Sequence, residues 1–238
     1  YAAVYNMGNM VSIYPDNPTN TKLHIVEYGI QPDIKSMKQF CGHDHSVSDM
    51  IKKPSPFKGG NRTNITMGTK RHNYNLAIVT TGEFYINNGN TDPLVRSVVV
   101  NTVNAISAIF SNEMSIRLAV GNRITFYKDP DTDIFIPDEL GGDGRPDQAG
   151  NAVAMHWQPN LYDIGHVFHQ HANGDGWSNG GVAQLRSVCN DGGIPISKAR
   201  GWSGAFSNVG NGWINLATHE FGHQFGANHT FNGDGGAC

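Results

Sequence analysis

Apolar residues recur along this chain with two different periods, and the switches between them mark out its elements. Leu23-His24-Ile25-Val26-Glu27-Tyr28 alternates weakly, as a strand does, after a turn-rich break at Tyr14-Pro15-Asp16-Asn17-Pro18. Tyr74-Asn75-Leu76-Ala77-Ile78-Val79-Thr80-Thr81 is a stronger strand, ended by Gly82. The period then lengthens. Asp92-Pro93 supplies an N-cap and a first-turn proline, and Val95, Val98, Val99, Val103, Ile106, Ile109 and Phe110 follow at helical spacing, predicting a core helix to about residue 112. Ser115 to Val120 reads as the next strand, and between 121 and 160 the signal fades. Tyr162 to His169 alternates again, Gly180 to Cys189 reads as a further strand, and Ser197 to Phe206 leads into one more. Ile214, Ala217, Phe221 and Phe225 then form an apolar stripe on a last helix, which Asn211 is placed to cap.

The opposite side of that last helix carries the chemistry. His219-Glu220-Phe221-Gly222-His223-Gln224-Phe225-Gly226-Ala227-Asn228-His229 reads H-E-x-x-H-x-x-G-x-x-H. Residues four apart on a helix lie nearly above one another, so His219 and His223 offer two nitrogens to one metal ion. Glu220 projects about 100° round the helix from His219, within reach of a water on that metal without being a ligand. Gly226 is free to turn left-handed and end the helix, after which the chain doubles back and brings in His229. Three imidazoles and one open position describe a catalytic zinc site, since a structural one fills all four places. Ordinary surface histidines are the bland alternative, but a chance match at these five positions is on the order of 10⁻⁴.

The motif, in the wording H-E-F-G-H-Q-F-G-A-N-H-T-F-N-G, resembles that of the metzincin metallopeptidases, and in particular the reprolysin-like branch found in secreted bacterial proteins. The likeness is sharp over residues 160 to 238 and looser from about residue 70. It implies an α+β fold of the α/β-sandwich kind: a mixed, twisted, mostly parallel sheet with an antiparallel edge strand and two long helices on one side, one of them the active-site helix. It implies a zinc endopeptidase in which His219, His223 and His229 hold the metal and Glu220 is the general base to a zinc-bound water. By family position Gly180 to Cys189 is the edge strand, and an unpaired edge binds an extended peptide through main-chain hydrogen bonds. That sets Val182, Ala183, Gln184 and Leu185 against the substrate. Latent metzincins also carry a Cys-Gly in the propeptide whose thiolate takes the zinc's open position. Cys41-Gly42 resembles that element, with a buried or disulfide-bonded cysteine as its rival reading.

Residues 1–68 are accordingly expected to be a pro-region tail and linker, the latter Pro/Gly-rich from Lys52 to Gly60, and 69–238 the catalytic domain. Metzincins have a methionine-containing turn after the third histidine. No Met follows the motif here, so that C-terminal part is expected to be missing from the chain. Two other functions compete: a catalytically idle adhesion or binding protein of metzincin fold, and a zinc hydrolase of a non-peptide amide. An intact Glu220 weighs against the first and the peptide-binding edge against the second.

Composition narrows the remainder. A length of 238 residues permits one large domain with an appendage, and 38% hydrophobic residues suffice for a core. A net charge of −3 offers no footprint for nucleic acid or an anionic membrane, and no run approaches the ~18 apolar residues of a membrane span. The resemblance implies a peptide or protein as the partner; oligomeric state leaves no mark. With no N-terminal Met and no apolar signal stretch, residue 1 reads as an internal cut or a processed end. Three cysteines leave at least one unpaired. The resemblance implies disulfides, either Cys189 with Cys238 or each with residues further downstream, and oxidised cysteines fit an extracellular protein. Asp129-Pro130-Asp131-Thr132-Asp133 invites calcium, but the EF-hand frame fails at Ile134 and Leu140, and a solvated acidic loop is expected. His166 and His169, with His171, suggest a second metal site, against the expectation of solvent-facing or hydrogen-bonded imidazoles.

Overall fold

The computed structural model describes residues 2–6, 9–17, 20–28, 42–43, 70–138, 144–172, 174–177 and 180–229. Strands β1 (Ala2–Asn6), β2 (Asn9–Asn17) and β3 (Asn20–Tyr28) form an antiparallel meander of their own. The expected break at residues 14–18 falls inside it. β2 runs on to Asn17, and a register shift between Pro15 and Asn17 accommodates the proline, which has no amide to give to a ladder. A two-residue strand, β4 (Gly42–His43), precedes the second and larger sheet in sequence and joins its edge.

That sheet is built around β5 (His72–Thr80), whose inner half is buried without interruption because both of its faces are covered. Alternate residues divide the core between the faces. Leu76 and Ile78 belong to one cluster, Ala77 and Val79 to the other. After a short helix, α1 (Gly82–Asn87), comes α2 (Asp92–Met114), longer by two residues than its apolar spacing predicts. Thr91, not Asp92, flanks its start in extended conformation; Asp92 is its first residue, accepting from Tyr85 Oη at 2.6 Å and pairing with Lys128 at 2.8 Å. At 23 residues α2 is long enough to cross a bilayer, yet Val95, Val99, Val103, Ile106 and Phe110 are packed in the core. Strands β6 (Ile116–Ala119) and β7 (Ile124–Phe126) follow, both parallel to β5.

Helix α3 (Arg145–His156) lies in the stretch where the sequence signal fades. Its buried residues include Ala149, Gly150, Ala152 and Val153, mostly small and only weakly apolar, which let the helix approach the sheet closely. Strand β8 (Ile164–Gln170) pairs in parallel with β5, from Leu76↔Ile164 to Thr80↔Phe168. Beyond β8 come β9 (Gly180–Ala183) and β10 (Gly201–Ala205). β10 is parallel to β8, and β9 antiparallel to β10. The order β4-β9-β10-β8-β5-β6, with β7 also on β5, is the mixed, mostly parallel sheet that was expected. Helix α4 (Gly210–Gln224) starts one residue before the anticipated cap at Asn211 and shares the face of α2. Trp213, Ile214, Ala217 and Phe221 anchor it there, with Trp213 set edge-on to Phe168 at 5.1 Å. Burying a side chain of this size contributes roughly 1.5–3 kcal/mol.

Candidate metal centre

α4 ends where the metal motif needs it to. Gly226 has φ +99°, its amide reaches the His223 carbonyl at 2.8 Å, and the Ala227 amide reaches the Gly222 carbonyl at 2.9 Å. This pair of bonds around a left-handed residue closes a helix and reverses the chain. The reversal delivers His229: its Nε2 lies 3.1 Å from His219 Nε2, which lies 3.0 Å from His223 Nε2. Three nitrogens bound to one tetrahedral zinc would stand about 3.4 Å apart; these two spacings are within a few tenths of an ångström of that, and all three donor atoms lie within 4.8 Å of one another. His223 Nδ1 donates to the Ala227 carbonyl at 2.8 Å, leaving the Nε2 lone pair turned toward its neighbours. Burial, and then the proximity of His223 and His229, holds His219 down at about 4, and burial also lowers His223. Neutral imidazoles are the metal-binding form. The residues present fit a zinc ion.

Glu220 is fully buried beside them. Directly over it runs β9, and a methyl group at Gly181 would lie 2.3 Å from Glu220 Cγ and 2.5 Å from its Oε1. Only a residue without a side chain lets strand and carboxylate come this close. Arg145, buried at the start of α3, donates to the Gly180 carbonyl at 3.1 Å, and its charge is attracted to Glu220. Nothing in the sequence singled out Gly181 or Arg145, since each meets Glu220 only through the fold.

Beneath the metal group, Gln224 fastens α4 to the sheet. Its Oε1 accepts from His166 Nδ1 at 2.8 Å and its Nε2 donates to the Gly165 carbonyl at 3.0 Å, while His166 Nε2 accepts from Ser203 Oγ at 2.8 Å. The His166 ring stacks on Phe221 at 4.3 Å, and burial lowers its pKa to about 4. His166 is thus a satisfied core histidine. His169 and His171 are also buried, rather than solvent-facing.

The predicted edge strand needs two corrections. It stops at Ala183, although Gln184 still donates to the Arg200 carbonyl at 2.8 Å. Arg186 and Cys189 have φ +56° and +59°, which no strand can contain. The amides of Arg186, Ser187 and Val188 turn instead to the last carbonyls of α4, those of His223 and Gln224, at 2.9–3.2 Å. A helix end left with orphan carbonyls has captured the chain that was to continue the strand. Of the four residues set against substrate, Val182 and Ala183 lie in β9, while Gln184 and the buried Leu185 lie beyond it. The edge is also paired, with Gly42 opposite Val182 and His43 opposite Ala183 in parallel.

The acidic loop offers no calcium cage. Asp133 accepts from the amides of Gly82 and Phe135 at 2.9 Å each, and Asp129 from that of Asp131 at 3.0 Å. The Cys189 thiol is exposed, while Cys41, Cys238 and the linker at 52–60 lie outside the described residues.

Comparison with known proteins agrees with this geometry. The family described as metallo-peptidase family M12B, reprolysin-like, matches residues 97–230, more than half of the chain and the whole run from within α2 through His229. No curated protein matches significantly. Among solved structures 66 chains match, one of them titled "Structure of a chaperone-substrate complex". It is 17% identical with a TM-score of 0.44, over 69% of this chain and 24% of that one, so this chain spans about a quarter of that protein. The family match covers His219, Glu220, His223 and His229, and on it the chain belongs to the reprolysin-like metallopeptidases of family M12B.

Proposed function

We propose that this chain is a secreted zinc endopeptidase in which His219, His223 and His229 hold the metal and Glu220 moves the proton. The convergence of three imidazole nitrogens beside a fully buried glutamate carries the reading. Zinc supplies there a Lewis acid that polarises the scissile carbonyl and makes water acidic enough to attack near neutral pH. Glu220 takes the proton of that water on a carboxylate oxygen and returns it to the departing amine. Val182 and Ala183 offer main-chain groups to an extended peptide, which must first displace β4.

That displacement supports latency. Cys41 directly precedes β4 in sequence, so the segment that covers the peptide-binding edge also carries the thiol proposed to take the open metal position. Residues 1–68 then act as a pro-region.

Glu220→Gln tests the central role. Casein or gelatin cleavage should fall about 10²–10⁴-fold, the usual worth of a positioned acid–base group, while zinc content stays that of the parent. Wild-type cleavage at normal zinc content would remove Glu220 from the mechanism.

A further inference from the structure

On the opposite face of the sheet from α4, a second group of metal-type donors lies buried, outside the machinery described above. His169 is the next-to-last residue of β8, His171 is the first residue beyond the strand, and Asp175 lies on the loop toward β9. We propose that His169, His171 and Asp175 hold a second divalent cation of the zinc class, one that pins this loop beside the peptide-binding edge.

Asp175 Oδ2 lies 3.9 Å from His169 Nε2 and 3.8 Å from His171 Nδ1, and all three donor atoms fall within 4.8 Å of one another. Around a tetrahedral ion they would stand about 3.4 Å apart, so a small closure of the loop completes the set. His169 is fully buried and His171 nearly so, yet His169 Nε2 and His171 Nδ1 have no hydrogen-bond partner. Buried polar atoms are seldom left in this state without an ion or a water between them.

The surroundings fix the lone pairs in the required direction. His169 Nδ1 bonds to Thr81 Oγ1 at 2.9 Å and lies 3.6 Å from Glu83 Oε2, so the ring proton belongs on Nδ1 and Nε2 is free to ligate. Asp175 is held by the Ala172 amide at 2.6 Å and the Trp177 amide at 3.0 Å. His171 Nε2 faces Gly204 of β10, where a methyl group would lie 2.7 Å away and also 3.2 Å from His169 Cδ2. Trp177 and Trp202 flank His169 at 5.1 and 5.4 Å between ring centres, and Phe206 covers His171 at 5.5 Å. The cup is largely dry. Burial lowers the pKa of both imidazoles, toward the neutral form that binds a metal. Arg145 contributes one unfavourable positive charge, offset by Asp175, Glu83 and Asp138. Two imidazoles and one carboxylate suit zinc and disfavour calcium or magnesium, which take oxygen ligands. Water fills the remaining position.

The full chain is stripped with dipicolinate, re-equilibrated with Zn²⁺ and analysed for bound metal by mass spectrometry. Two equivalents are expected, falling to one in Asp175→Ala and to one in the double variant His219→Ala/His223→Ala. One equivalent in the parent, lost in the double variant and kept in Asp175→Ala, overturns the proposal and leaves a cluster bridged by water only. One equivalent lost in Asp175→Ala and kept in the double variant upholds it and overturns the catalytic centre instead. Should Asp175→Ala not fold, the double variant decides with Co²⁺: visible d–d bands support a second site, and a colourless protein rejects it.

Discussion

Gly181 decides where Glu220, the proposed general base, stands. In Gly181→Ala the new methyl would occupy the space of the Glu220 side chain, and with that side chain fully buried either β9 lifts or the carboxylate swings away. Turnover should fall toward the 10²–10⁴-fold typical of a lost or misplaced base, while zinc stays bound. Measuring kcat alongside metal content separates this from general damage; a variant cutting peptides at the parent rate would show that the close approach has no bearing on catalysis. The contrast with the histidines explains what could be read beforehand. His219, Glu220 and His223 are legible because their relation is set within one helical turn, and His229 because Gly226 supplies the reversal. Gly181, Arg145 and the His166–Gln224–Ser203 network stand close only after distant segments are packed, and no local period records that.

At the scale of elements, β5, α2 and α4 are the parts the sequence marks clearly, since each buries a face broad enough to impose a period on its residues. Helix α3 is not, because alanine and glycine do much of its packing and its residues are on average far less apolar than those of α2 and α4. The length of β9 was misjudged for a different reason. Residues 185–189 have strand-like composition, but the open carbonyls of α4 compete for their amides and win. β4 is too short to announce itself at all, and its place on the edge of β9 gives the Cys41 reading its test. In the full chain, Cys41→Ser should raise basal cleavage of a quenched peptide before any proteolytic processing. An unchanged basal rate would mean that the thiol is not what keeps the metal occupied.

For the molecule as a whole, three imidazoles buried outside the His219–His223–His229 group make stability depend on acid. Burial holds His166 at about 4, lowers His171, and takes His169 well below its ordinary value of 6.5. Below about pH 6.5 the unfolded chain gains protons that the folded one refuses, so stability declines from there toward pH 4 by up to about 1.4 kcal/mol per pH unit for each such group. Asp133 opposes this: burial raises it to about 6, so from pH 6 downward the folded form binds its proton first. In the metal-free protein His219, also held at about 4, and His223, also lowered, add to the loss, so five groups stand against one and the net is a decline. Urea unfolding of the chelated protein at a series of pH values should show the decline between 6.5 and 4, shallower in His166→Asn; a flat profile would contradict the neutral burial of these rings. The short ribbon from Ala183 to Val188 ties the two halves of the cleft together. One end lies on the rail where a peptide would dock, the other is bolted to the turn of helix bearing His223. Tension on the rail would therefore be transmitted over a handful of bonds to a nitrogen proposed to grip the metal, and cargo that seats poorly would loosen the grip as well as the fit.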